Sequence, residues 1–435
     1  MGLINRFSGK NKEEEQQKIL EHEKEKAHRD AVEEQKKAHE GMAWPGIPRL
    51  NALNAQGRMA QATDSLTELK KDEVGELVYE PNLTPEMLDL LTEQELFFLQ
   101  LTMALFNAKA PLTNYEKNHR VLYNEILGRI HRTEKFFLLM DRRTGYPLID
   151  SGYVCVYFER NRADQAAEMY KSQFRDVAVI EQNGETLPSQ EDGKRSMSLF
   201  DYLYYIGAEN IMLDNGWYKC AVKRSEIAVP PNWNVDPQKA APTNPKLAFA
   251  MIDYVSEVRW PVKYEKREEI LKKKTDLMMR LIPTGKYIIP ARVVDLNIGE
   301  VEADDEPKKP VKQFQLPAVK VNDKMYLPIF TDMLEYSKKF GKTEMKPIGF
   351  EYKNLLKHVT GEISGIIINP NGEGILIPRE KAQSLLFALA GSGKKKTKSQ
   401  NVAEEEKGQN SEQSTAEEKE ADQDVENEEP TDKKD

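Results

Sequence analysis

The side chains of this 435-residue chain that could do chemistry are six histidines, two cysteines and several acidic pairs. Metal binding would need three or four ligands brought to one point. His22, His28 and His39 fall in a charge-dense stretch, His119 and His131 stand twelve apart, and His358 is alone. None forms HExxH, so all six read as surface or half-buried histidines and no metal site is expected. Cys155 and Cys220 lie in apolar, strand-like runs and are too far apart for a CxxC pair. They read as small, reduced core residues. The GxSxG elbow is absent, and no Ser–His–Asp or Cys–His context stands out. A hydrolase would need a cleft that gathers groups such as His358, Thr331 and Asp332, which their spacing neither shows nor excludes. Gly391-Ser392-Gly393-Lys394 has the outline of a phosphate loop. However, Ala388 occupies the first glycine position of GxxxxGK[ST], Lys395 replaces the Ser/Thr, and a helix precedes the run. Acid pairs such as Glu268/Glu269 and Asp304/Asp305 sit in polar segments, which cannot split two carboxyl pKa values as acid–base catalysis requires. The expectation is a protein without catalytic residues and without cofactors.

Charge and hydropathy set the frame for the elements. The net charge is −9, but residues 404–435 hold fourteen acidic side chains against four lysines, so the preceding 403 residues sum to +1. A near-neutral body lacks the single-signed field of a nucleic-acid binder. The start, Met1-Gly2-Leu3-Ile4-Asn5-Arg6-Phe7, has no secretory apolar core, and no run approaches the ~20 apolar residues of a membrane span. Residues 1–9 could at most make a weak peripheral membrane contact. The expected localisation is cytoplasmic.

Residues 10–40 carry ten acidic and eight basic side chains, with Glu14/Lys18, Glu25/Arg29 and Glu33/Lys37 at the favourable i, i+4 spacing. They predict a charged helical extension over 1–41, followed by a linker over 42–78. Thr84 and Pro85, an N-cap and a first-turn proline, open a folded unit over 79–229. Its pattern is helices, strands at 135–141, 146–149 and 153–158, a helix, a strand at 176–181, another helix, and a hairpin about Asp214-Asn215-Gly216. A proline-rich linker, 230–245, leads to a second unit over 246–391. There the order recurs: a helix, strands at 286–294, 314–321 and 325–330, a helix from Thr331, a strand, a helix, and a hairpin about Asn369-Pro370-Asn371-Gly372. Val154–Phe158 before Glu159 parallels Tyr326–Phe330 before Thr331, and Ile211–Asp214 parallels Ile366–Asn369. The pattern predicts a divergent tandem repeat. Residues 392–435 are almost free of apolar side chains and read as a disordered acidic tail.

Three motifs carry a resemblance to a known family: Tyr326-Leu327-Pro328-Ile329-Phe330-Thr331-Asp332, Ile366-Ile367-Ile368-Asn369-Pro370, and Ile377-Pro378-Arg379-Glu380. With these, the stretch of about 265–390 resembles the SseB family, named for enhanced serine sensitivity. The first unit resembles a degenerate copy, with Val156-Tyr157-Phe158-Glu159 and Leu213-Asp214-Asn215-Gly216 in place of the first two motifs. The resemblance implies an α+β bacterial cytoplasmic protein with two SseB-like domains, each a small, mostly antiparallel sheet with packed helices. It carries over no catalytic residues.

The leading functional expectation is a non-enzymatic cytoplasmic interaction or regulatory protein with an unknown protein partner. One alternative is a small-molecule sensor for an amino acid or related metabolite; another is an uncharacterised hydrolase. A ligand surface, if present, would involve Phe330, Thr331 and Asn369.

Overall fold

The computed structural model describes residues 26–27, 29–48, 50, 62–185, 197–236, 238–296 and 311–388. The expected acidic tail, the Asp304/Asp305 pair and the peripheral contact expected of residues 1–9 lie outside the described residues.

The fold is α+β, with three small, mostly antiparallel sheets among the described residues. In the first half, helices α1 (Glu68–Gly75), α2 (Glu93–Lys109) and α3 (Tyr115–Arg132) precede the sheet. Thr92 and Glu95 cap α2 reciprocally: the Glu95 amide donates to Thr92 Oγ1, and the Thr92 amide donates to the Glu95 carboxylate. Seven strands follow: β1 (Lys135–Asp141), β2 (Tyr146–Pro147), β3 (Ile149–Asp150), β4 (Tyr153–Tyr157), β5 (Val177–Asn183), β6 (Asn210–Leu213) and β7 (Cys220–Lys223). Helix α4 (Arg160–Ser172) follows β4, and α5 (Leu199–Tyr205) precedes β6. The path β5-β1-β4-β6-β7 is antiparallel except for the β4/β6 pair.

The second half uses the same path. Helices α6 (Pro245–Arg259) and α7 (Arg267–Leu281) lead into β8 (Lys286–Leu296), β9 (Val311–Gln315), β10 (Val319–Val321) and β11 (Lys324–Ile329). Helix α8 (Met333–Phe340) follows, then β12 (Lys346–Glu351), β13 (Ile363–Ile368) and β14 (Ile375–Pro378). The order is β12-β8-β11-β13-β14, again with one parallel pair, β11/β13, and with β8 joined to β11 through a bridge between Ile288 and Phe330. That bridge corresponds to the Phe137–Tyr157 pair of the first half. Pairing Val154 with Ile211 and Leu327 with Ile366 sets the correspondence, so Phe330 matches Tyr157 and Thr331 matches Phe158. The sequence-level alignment of the halves is therefore displaced by one residue at this strand.

Two local differences from expectation have clear causes. The strand expected over 314–321 is two strands, β9 on β8 and β10 on β11. Pro317 falls between them and has no N–H to donate. The Asp214-Asn215-Gly216 turn is wider than a two-residue hairpin, because Asp214 (φ 49°) and Gly216 (φ 101°) take the left-handed conformations while the Asn215 side chain is buried. Pro328 lies inside β11 between the Val319–Tyr326 pair and the Ile288–Phe330 bridge. It sits at a gap in the ladder, where a missing donor does no harm.

Each half has its own apolar core. Part of the stretch read as a linker is packed into the first: Ile47, Leu50, Leu66, Val74 and Val78 are all buried there. Helix α6 serves both cores, giving Ile252 to the first and Leu247, Met251 and Val255 to the second. Burying each such side chain contributes about 1.5–3 kcal/mol, so α6 ties the halves together. Among the described residues no helix is long and apolar enough to cross a membrane.

Candidate functional site

Two adjacent parallel strands end side by side, and the chain leaving them must satisfy its polar groups without the ladder. In the second half, β11 exits into Thr331 and Asp332, and β13 exits into the turn at residues 369–374. Asn369 holds the left-handed conformation (φ 49°), which a short polar side chain tolerates. Its amide N–H donates to the Ile329 carbonyl (2.9 Å), and its carbonyl accepts from Gly372 (2.8 Å) and Gly374 (3.0 Å). Its Oδ1 accepts from the Thr331 amide at 3.0 Å, and its Nδ2 donates to Thr331 Oγ1 (2.9 Å) and Glu373 Oε2 (3.0 Å). Thr331 Oγ1 donates to Asp332 Oδ2 at 2.7 Å. Asp332 Oδ1 caps α8 by accepting from the Leu334 and Glu335 amides.

The notch between these two exits is filled from the other half of the chain. Tyr146, in β2, is 1% exposed and places its hydroxyl 2.9 Å from both Glu335 Oε1 and Glu373 Oε2. Lys338 Nζ donates to Glu335 Oε1 at 2.5 Å and lies 4.4 Å from the Tyr146 ring centroid. The floor is Gly372: a Cβ there would stand 2.2 Å from the Tyr146 hydroxyl and 2.6 Å from Glu335 Oε2. Only glycine leaves room for the tyrosine.

One phenol has one proton to donate, yet two carboxylate oxygens approach it. The arrangement closes if Glu373 keeps its proton and donates to the Tyr146 oxygen, while Tyr146 donates to Glu335, whose charge Lys338 balances. Burial, reinforced by the nearby Glu335 charge, pushes the Glu373 carboxyl up to about 7. Burial also raises Glu335, with Lys338 acting in the opposite direction, and raises Asp332. Burial, with the two carboxylates, holds the Tyr146 phenol far above the ordinary tyrosine range.

Of the three residues singled out from the sequence, the structure brings Thr331 and Asn369 into direct contact, both fully buried. The equally buried Phe330 side chain joins a separate cluster with Ile288, Tyr336 and Phe340. Tyr146, Glu335, Lys338, Gly372 and Glu373 were not singled out. For Gly372 and Glu373 the signal is their place directly after Asn369-Pro370; for Tyr146 a single sequence carries none. Thr331 and Asp332 bond each other, whereas His358 is exposed and packs edge-on against Phe350.

The first half repeats the geometry with other chemistry. Asp214 also sits at φ 49°; its amide donates to the Val156 carbonyl (2.9 Å), and its Oδ1 accepts from the Phe158 amide (3.1 Å). Its Oδ2 accepts from Gln94 Nε2 at 2.9 Å and faces Arg162 at 3.4 Å. Burial pushes this carboxyl up to about 6 although Arg162 opposes the shift.

A second feature lies between the halves: a chamber of about 200 Å³ walled by Tyr170, Trp260 and Tyr264 and carrying Asp150, Arg175 and Lys274. The Arg175 guanidinium lies 3.9 Å from the Trp260 ring and donates to the Ser256 carbonyl at 3.3 Å. Lys274 is held by Asp253 at 2.9 Å and Glu257 at 3.4 Å.

Both cysteines are free and buried, and burial pushes their thiols up to about 12. His39 is buried, with Nε2 2.9 Å from the Phe106 carbonyl. Among the described residues no group of three or more His, Cys, Asp or Glu side chains is placed to hold a metal ion.

Compared with known families, residues 271–382 match the SseB protein N-terminal domain, the segment that contains β8–β14 and the notch. No curated protein and no solved structure matches the chain.

Proposed function

We propose that this is a non-enzymatic interaction or regulatory protein of the bacterial cytoplasm. It is built from an SseB-like unit over 246–391 and a diverged copy over 79–229, joined through 230–245. The observation that carries this reading is the occupied notch. The polar strand-end site of the SseB-matching unit recognises a tyrosine side chain supplied by the other unit, which is how a protein-docking site behaves. Its acids are covered, and Glu335 Oε1, Glu373 Oε2 and both Asp332 oxygens are engaged by protein groups, an arrangement for holding a partner group and not for turning over a substrate. The shared strand order and the paired Asp214 and Asn369 turns support the copy.

The inter-half chamber favours a second reading, a sensor of a small molecule such as an amino acid or related metabolite. Arg175 brings several N–H donors to that chamber and bonds one carbonyl there.

Native mass spectrometry of the full chain, purified gently from its own cells, separates the two. A stoichiometric protein adduct supports docking. A small retained mass lost on mild denaturation supports the sensor. A bare chain in every preparation counts against both.

A further inference from the structure

We propose that Tyr146 and the two glutamates it bridges form a proton-dependent latch: the notch stays closed while the cluster keeps its shared proton and opens as that proton leaves. The inference rests on the reading that Tyr146 occupies a docking site. It adds what would free that site for an outside partner.

The geometry sets the requirement. Glu373 is 3% exposed, and its Oε2 is met by two neutral groups, the Tyr146 hydroxyl and Asn369 Nδ2. The charged and titratable groups around the cluster do not change this. On α8, Lys338 donates to Glu335 Oε1 (2.5 Å) and to the Tyr146 oxygen (3.3 Å) but not to Glu373, and Asp332 adds a further acid. At the end of α6, Arg259 donates to the carbonyls of Glu373 (3.4 Å) and Arg143 (2.8 Å), not to the carboxylate. From α5, Tyr202 is held above its ordinary range by burial first and then by Glu335, Glu373 and Asp332; Tyr205 shows a burial-led rise to which Asp332 adds. If both glutamates ionise, one carboxylate must face the lone pairs of a phenol whose only proton is already given to the other. The chain cannot relax around that clash, because Gly372 packs directly against the hydroxyl.

The sign follows. In the closed state Glu373 holds its proton up to about 7, whereas a carboxyl released to water titrates near ~4.3. Closure is therefore strongest at low pH, weakens as pH rises between those values, and has lost this contribution just above 7.

The test is hydrogen exchange of the full-length protein from pH 5.5 to 8, corrected for intrinsic exchange and read at the amides of residues 369–374. The wild type should lose about thirtyfold in protection across that range, since about 1.5 pH units separate its lower end from the closed-state Glu373 value and each unit is a factor of ten. Glu373→Gln should stay flat. Glu335→Gln, which removes the like charge, should move the midpoint to lower pH, and it serves as the test if the first variant does not fold. An equal loss in Glu373→Gln, an unmoved midpoint in Glu335→Gln, or no loss in the wild type overturns the latch. Tyr146→Ala should be poorly protected at every pH. Wild-type protection in that variant would overturn the docking reading itself.

Discussion

The turns at Asp214 and Asn369 occupy the same place in two strand paths of the same order, with the same backbone angle and the same bond to a strand-exit amide, yet they finish differently. Asp214 carries a charge that must be answered inside a dry site, and its own half answers it with Arg162 and Gln94. That site is self-contained. Asn369 is neutral and brings two donors as well as an acceptor, so it calls for acceptors: Thr331 Oγ1 and Glu373. Glu373 in turn keeps a proton that needs an acceptor, and the Tyr146 oxygen of the other half supplies it. Exchanging a carboxylate for an amide turns a closed turn into a receiving one.

The largest expected effect comes from emptying the receiving turn. Tyr146→Ala removes a fully buried ring together with the hydroxyl that two buried glutamates share, and should cost about 3–5 kcal/mol in urea unfolding. Gln94→Ala, its nearest counterpart in the first half, should cost about 1–3 kcal/mol. Equal costs would erase the contrast.

Swapping the two side chains sharpens it. Asn369→Asp places a carboxylate beside Asp332, Glu335 and Glu373 with no arginine to answer it, and should lose about 2–4 kcal/mol. Asp214→Asn leaves Arg162 (side chain 14% exposed) partly hydrated, and should lose about 1 kcal/mol.

The pH course of stability has the same sign in both halves but different reach. Asp214 and Glu373 are each raised, so the folded state binds more protons than the unfolded chain, and stability falls as pH rises. The Asp214 share is complete near pH 6 and the Glu373 share near pH 7. Glu373→Gln should abolish the decline between pH 6 and 7 and roughly halve its slope below pH 6, as read by urea midpoints between pH 4.5 and 8.

The smallest effect belongs to the rim. The Lys338 side chain is 40% exposed, so Lys338→Met should cost about 0.5–1 kcal/mol.

Much of this fold was legible in the sequence because strand and turn signals are local. The hairpin at 369–374 and the helix start at Thr331–Asp332 follow from neighbours in the chain. The one-residue displacement at β4 was not legible, because Phe158 and Phe330 look alike as letters, while the ladder pairs Phe330 with Ile288 and leaves Phe158 to bond Asp214. Thr331 and Asn369 could be singled out from the motifs that contain them. Tyr146 could not: its role depends on how two cores dock through α6, and it lies 189 residues from Glu335.

The central claim is that the second half's strand-end turn is completed by the first half's tyrosine. A double-mutant cycle between Tyr146→Phe and Glu373→Gln, measured by urea unfolding at pH 6, tests it most directly. The account predicts a coupling of about 1 kcal/mol or more, while Tyr146→Phe with Asp214→Asn stays additive within about 0.5 kcal/mol. Additivity in both cycles would contradict it.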